Sequence, residues 1–191
     1  MAKFEDLVEV LKKATPILEE AGMPFVLGGG LATWARGGPE SEHDLDLFVK
    51  PGDAERALQA LEEAGFRTEK PPEQWLYKAW DGDVMIDVIF SPKGGDVDED
   101  WFERADEMEV AAVRMKVMAL EDVMVTKLLA LGEHELDYES VLEIARSLRE
   151  RIDWEDVRSR TAESPYARVF FCLLEELGLL EPASGRAPAA R

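Results

Sequence analysis

Residues 24–49 read PFVLGGGLATWARGGPESEHDLDLFV, and the two ends of this stretch decide the fold. At its start, a short apolar run ending at Leu27 breaks into Gly28-Gly29-Gly30, and the helix-forming segment LATWAR (31–36) follows. That order predicts a buried strand, a tight turn and a helix. At its far end, DLDLFVK (44–50) predicts a second strand, stopped by Pro51-Gly52. Successive side chains of a strand point to opposite faces, so Asp44 and Asp46 share one face while Leu45 and Leu47 take the core.

The rest of the chain organises around these two strands. Upstream, Phe4, Leu7, Val8, Leu11 and Leu18 recur at helical spacing and Gly22 closes the run. Downstream, GDAERALQALEEAG (52–65) predicts a helix with Leu58 and Leu61 on its apolar face. FRTEK (66–70), QWLYKAW (74–80) and VMIDVIF (84–90) predict strands, the last two joined by Asp81-Gly82-Asp83, a hairpin signal. After an acidic, turn-rich stretch, VAAVRMKVMAL (110–120) reads as one strand leading into the helix EDVMVTKLLAL (121–131). From about Asp137 onward the pattern is helical. The expected class is α/β (α+β), with an α/β core over 1–119, a helical part over 120–181 and a flexible tail over 182–191.

Composition excludes several classes. Among 191 residues, 46% are hydrophobic and 33% charged, a globular balance rather than a disordered one. No apolar run reaches the roughly 18 residues that a membrane span needs. A lone cysteine, Cys172, rules out an intrachain disulfide and makes a cysteine-built zinc site implausible. With an acid-bearing N-terminal helix in place of an export signal, the expected location is cytoplasmic, with no membrane partner. The 22 basic and 41 acidic residues leave a net charge of −19, which repels polyphosphate at long range and weighs against a large nucleic-acid partner.

Four Asp-x-Asp pairs occur, and their contexts differ. Asp81/Asp83 flank the glycine of a turn, while Asp96/Asp98 and Asp98/Asp100 lie in what reads as a polar loop. Asp44/Asp46 alone sit among bulky apolar strand residues. Two carboxylates side by side at the edge of a core repel each other unless a cation neutralises them, and hard oxygen pairs suit Mg²⁺ or Mn²⁺. The alternative is two solvated strand-end aspartates. A Gly28-Gly29-Gly30 turn at a helix start offers backbone N–H groups to phosphate. A tight strand-to-helix turn would look the same, but joined to the carboxylate pair it describes a nucleoside triphosphate held with its metal.

The Gly29-Gly30 pair followed by Asp44-Leu45-Asp46-Leu47 resembles the defining motif of the polymerase β-like nucleotidyltransferase superfamily. The layout is most similar to bacterial stand-alone members of the abortive-infection and toxin type. The resemblance implies a nucleotidyltransferase-like mixed sheet flanked by helices. It also implies a third metal carboxylate on a later strand, for which Asp87, the lone charge in VMIDVIF, is the candidate. A nucleotide-facing lysine is implied as well, here Lys127. It interrupts the apolar stripe Leu120, Met124, Leu128 and Leu131, where it could otherwise snorkel to solvent. Asp137 is the nearest match to a further aspartate of those relatives.

The sequence departs from that pattern in two places. Glycine stands where many members have serine, and Glu40 and Glu42 stand where many have arginine and threonine. Arg36 or Ser41 is the expected substitute contact to the phosphate tail. His43 reads as a loop residue with a local hydrogen bond. The expected reaction is metal-dependent transfer of a nucleoside monophosphate from a triphosphate to an acceptor: a small molecule, RNA or protein. The expected site comprises Gly28, Gly29, Gly30, Arg36, Ser41 and Lys127 for the nucleotide, and Asp44, Asp46 and Asp87 for metal and catalysis. Two readings compete: transfer to an antibiotic of the aminoglycoside or lincosamide type, and a catalytically silent domain that binds a partner.

Overall fold

The computed structural model describes residues 3–40, 44–133 and 136–182. Among them, seven strands form one mixed sheet. In chain order these are β1 (Val26–Leu27), β2 (Leu45–Phe48), β3 (Arg67–Glu69), β4 (Leu76–Asp81), β5 (Val84–Ile89), β6 (Asp106–Val110) and β7 (Val113–Val117). Their spatial order is β3-β4-β5-β2-β1-β7-β6. β2 runs parallel to β5, and β1 parallel to β7; the other neighbours are antiparallel.

The register of β2 follows from what it buries. Leu45 and Leu47 are 0% and 1% exposed, and burying each contributes roughly 1.5–3 kcal/mol. A slip by one residue would exchange them for Asp44 and Asp46, so the pairing is strongly specified. Helices α1 (Phe4–Glu20) and α3 (Ala54–Glu63) pack against each other and against β5 through Leu7, Leu11, Ala57 and Leu61. The short α2 (Gly29–Ala35) lies against β2 and against α5 (Leu120–Ala130).

Helices α5, α6 (Tyr138–Leu148), α7 (Trp154–Arg160) and α8 (Pro165–Glu176) build a second cluster around Met124, Leu128, Phe170 and Leu174. Here the structure widens the stripe read from sequence. Alongside Leu120, Met124 and Leu128, α5 also buries Asp122, Val123 and Val125, because it serves both cores: Val123 belongs to the sheet's cluster and Met124 to the helical one. Asp122, 1% exposed, accepts from Arg104 Nε at 2.9 Å and is also bonded by Arg160, tying the two parts together.

Two sequence expectations are corrected. Residues 110–120 do not form one strand: Ala111 and Ala112 turn the chain at φ 51° and 68°, making the β6–β7 hairpin. The acidic stretch also carries a helix, α4 (Glu99–Arg104), whose N-cap Asp98 accepts from the N–H of Asp100 at 3.1 Å. Among the described residues, no helix is long and apolar enough to cross a membrane.

Candidate active site

The site begins where β2 and β5 lie side by side. Their parallel register sets Asp46 opposite Asp87, and strand alternation turns both carboxylates to the face away from Leu45, Leu47, Ile86 and Val88. Asp44, two residues before Asp46, precedes β2; its charge acts on both Asp46 and Asp87, though it does not itself line the cavity described next.

The glycines let backbone come close to this pair. A Cβ on Gly29, whose φ is +55°, would sit 1.7 Å from Asp46 Oδ2. One on Gly28 would sit 2.3 Å from the Phe48 ring. The Gly28 N–H also donates to the Asp46 carbonyl at 2.9 Å, locking the turn to β2. Glycine is therefore required at both positions by close approach, and at Gly29 by backbone conformation too. Gly30 is the second residue of α2.

A cavity of about 540 Å³ opens on this surface, between the sheet and α5. Gly29, Asp46, Phe48 and Asp87 form one part of its lining; Thr126, Lys127 and Ala130 of α5 form another. Ile89 at the end of β5 and, beyond it, Trp75, Ser91, Pro92 and Lys93 complete it. Trp75 is 41% exposed, a large aromatic face left open at the cavity. Lys93 Nζ donates to the Ala130 carbonyl at 3.2 Å, joining the loop to α5.

Burial pushes the Asp46 carboxyl up to about 7; Lys127 draws it back, the like charges of Asp44 and Asp87 add to the rise, and Lys78 opposes it. Asp87 is also raised, chiefly by burial, with Lys78 opposing. The reason is direct: Lys78 Nζ donates to Asp87 Oδ1 at 2.9 Å, across the β4–β5 pair in which the two residues are register partners. Lys78 Nζ also lies 3.3 Å from Met85 Sδ.

The structure thus brings Asp44, Asp46, Asp87, Gly28, Gly29 and Lys127 to one region. It does not gather three carboxylates around one point: among the described residues, no three His, Cys, Asp or Glu side chains form a metal-holding group. Asp87 is instead engaged by Lys78 in an ion pair. The all-oxygen donor pair Asp44/Asp46 still fits a hard divalent cation, and the raised Asp46 is a group that a cation would relieve.

Arg36 is corrected more fully. It is 9% exposed and its donors are used inside the fold: Nε to the Met118 carbonyl at 2.7 Å, and Nη2 to the Val117 carbonyl and Asp106 Oδ2, each at 2.9 Å. It clamps the end of α2 to the end of β7 and does not line the cavity. Ser41 and His43 lie outside the described residues. Asp137 caps α6, accepting from the Ser140 N–H at 3.1 Å.

Lys78 escaped the sequence reading although the signal was present. A two-residue loop at Gly82-Asp83 pairs Asp81 with Val84, and counting back three residues on each side sets Lys78 against Asp87. Trp75 and Lys93 carried no such signal; only the tertiary fold brings them to the site.

The profile of a family described as "uncharacterised nucleotidyltransferase" matches residues 8–177. Several solved structures share the fold. One is ANT(2″)-Ia in complex with adenylyl-2″-tobramycin, at a TM-score of 0.63 and 16% identity over 85% of this chain and 98% of that one. A second is the lincosamide antibiotic adenylyltransferase LnuA, lincomycin-bound, at 0.51 and 16% over 79% and 96%. A Thermotoga maritima chain named as a nucleotidyltransferase matches at 0.50 and 17% over 85% and 96%. At these identities the likeness is one of fold. No curated protein matches the sequence.

Proposed function

The chain belongs to this uncharacterised nucleotidyltransferase family, and is an enzyme of the nucleotidyltransferase type; from that premise we propose that it transfers a nucleoside monophosphate from a nucleoside triphosphate to an acceptor hydroxyl. The observation that carries the reading is the juxtaposition of Asp46 and Asp87 in parallel register, at a cavity that also receives Lys127. Asp44 and Asp46 would hold one Mg²⁺ or Mn²⁺. Such an ion supplies charge neutralisation to the triphosphate during in-line displacement.

The protein's own groups account for the rest. Lys127 offers a positive charge that no hydrogen bond or ion pair among the described residues engages, suited to phosphate oxygens. The turn at Gly28-Gly29-Gly30, free of side chains, lets the triphosphate approach the backbone beside Asp46. Asp87 keeps Oδ2 unengaged among the described residues, and its raised affinity for a proton suits it to accept one from the acceptor. The acceptor oxygen then bonds to the α-phosphorus, the bond to the pyrophosphate oxygen breaks, and pyrophosphate leaves.

A second reading concerns the acceptor. Two fold neighbours are seen with tobramycin in adenylated form and with lincomycin, which raises an antibiotic as acceptor. Lys93 and Lys127 stand beside Asp46 and Asp87 in the lining, so the cavity lacks the uniformly acidic wall that a polycation calls for. Trp75, Pro92 and Ile89 offer an apolar wall instead. That weighs toward an acceptor with a flat or apolar part. The test is label transfer from an α-labelled triphosphate with Mg²⁺ or Mn²⁺, offering lincosamide, aminoglycoside, RNA and the protein itself. Wild type should label one of them and Asp46→Asn none. Equal labelling by the variant overturns the proposal.

A further inference from the structure

We propose that Lys78 is a built-in cation occupying the place of a second metal ion, so that each chain takes one tightly held divalent ion, at Asp44 and Asp46, and none at Asp87. The inference deepens the nucleotidyltransferase reading and rests on it. Three observations carry it. Lys78 Nζ donates to Asp87 Oδ1 at 2.9 Å, so one oxygen of the third carboxylate is already taken by a positive charge. The contact is fixed by backbone, because Lys78 and Asp87 are register partners in a hairpin whose Gly82-Asp83 loop leaves no slack. The lysine is also partly buried: its side chain is 26% exposed and its ammonium touches Met85 Sδ at 3.3 Å.

A divalent ion bound through Asp87 would have to displace this ammonium or sit beside it. Mg²⁺ and Mn²⁺ favour oxygen ligands. An ammonium supplies none, and it repels a second cation at that distance. Its single charge does part of the same work as a metal ion, since it compensates one carboxylate oxygen beside Asp46 and holds that carboxylate toward β4. Asp87 Oδ2, with no partner among the described residues, is left to meet the acceptor. A lysine at this register position therefore separates two jobs that three converging carboxylates would share: Asp44 and Asp46 attract the ion, and Asp87 serves the acceptor.

The experiment counts ions on the full chain. Mn²⁺ binding is followed by electron paramagnetic resonance and by calorimetry in physiological salt, where weakly held surface ions are screened. It is run with Mn²⁺ alone and with an α,β-methylene nucleoside triphosphate. Wild type should hold one tight Mn²⁺ per chain in both conditions, Lys78→Met should hold two with the triphosphate analogue present, and Lys78→Arg should stay at one. Two tight ions on wild type, or one on a folded Lys78→Met, overturns the proposal. The wild-type count needs no variant and decides the matter even where Lys78→Met fails to fold. No tight ion on any form, with or without the analogue, removes the metal-dependent reading itself and this inference with it.

Discussion

Gly29→Ala is the most informative single change in this protein, because it adds one methyl group and aims it at one carboxylate. Two costs arise. The first is conformational: Gly29 has φ +55°, where a residue with a Cβ is disfavoured by about 1–2 kcal/mol. The second is steric: the new Cβ would lie 1.7 Å from Asp46 Oδ2 and 2.6 Å from Cγ, but 3.1 Å from Asp46 Cβ. The backbone of β2 can stay where it is, and the carboxylate must rotate away, travelling more than an ångström. A misplacement of about 1 Å at a reacting centre can cost on the order of 100-fold in rate. Gly22→Ala separates the two costs, since Gly22 has φ +66° and nothing lies within 4 Å of where its new methyl would sit. Both variants should lose stability; at roughly 2–4 °C per kcal/mol, the conformational part alone lowers Tm by about 2–8 °C. Only Gly29→Ala should also lose pyrophosphate release from a nucleoside triphosphate with Mn²⁺, by about two orders of magnitude. A folded Gly29→Ala that retains activity within a few-fold of Gly22→Ala would refute the claim that this glycine exists to admit the Asp46 carboxylate.

Two further outcomes follow from the charges. Asp46 titrates at about 7 in the folded protein, well above an unfolded aspartate near 3.9, so the folded state binds the extra proton between those values. Stability from this group is therefore greatest at low pH and declines as pH rises toward 7, by at most about 1.4 kcal/mol per pH unit. Subtracting the Tm profile of Asp46→Asn from that of wild type isolates the slope, and Mn²⁺ should raise the wild-type Tm more at pH 8 than at pH 5; the reverse order would contradict the assignment. Arg36→Met removes a buried guanidinium from two carbonyls and Asp106, and bonds from a charged donor are worth roughly 1.5–3 kcal/mol each. A loss of about 3 kcal/mol corresponds to a Tm fall of roughly 6–12 °C, with triphosphate affinity within a few-fold of wild type; weakened triphosphate binding at unchanged Tm would restore Arg36 to the nucleotide site.

The parts of the fold legible in the sequence are those in which one local signal and one core requirement agree. Leu45 and Leu47 alternate with two aspartates, Asp87 stands alone in an apolar strand, and Gly82 marks the hairpin between β4 and β5. Each of those elements stands where the pattern placed it. The β6–β7 hairpin was hidden because its turn is Ala111-Ala112, where positive φ is normally advertised by Asn-Gly or Gly-Gly. Pairing across the sheet edge overrides the local cost of two alanines in that conformation. Arg36 misled for a different reason. Its position after the glycine turn is compatible with either phosphate or protein acceptors, and only the tertiary path of β7 puts the Met118 and Val117 carbonyls within its reach.

The net charge of −19 describes the wrong length scale for the site. Within about a Debye length of the surface, roughly 8 Å at physiological salt, the acidic exterior opposes an approaching triphosphate, and farther out salt screens it. Inside the cavity the balance differs: Lys93 and Lys127 line it beside Asp46 and Asp87, while Lys78 engages Asp87 from β4, so three of the chain's nine lysines converge on one region. Asp44, Asp46 and Asp87 are opposed from two sides, by Lys78 on one strand and Lys127 on one helix. Lys93 spends its ammonium on the Ala130 carbonyl, so two ammonium groups face three carboxylates and the least compensated pair is Asp44 and Asp46, which no lysine bonds directly among the described residues. A divalent ion bound there would supply the positive charge that the protein's own lysines do not. Substituting Lys78 by a neutral side chain therefore changes the number of ions the site asks for, whereas substituting an exposed lysine elsewhere changes only the outer field.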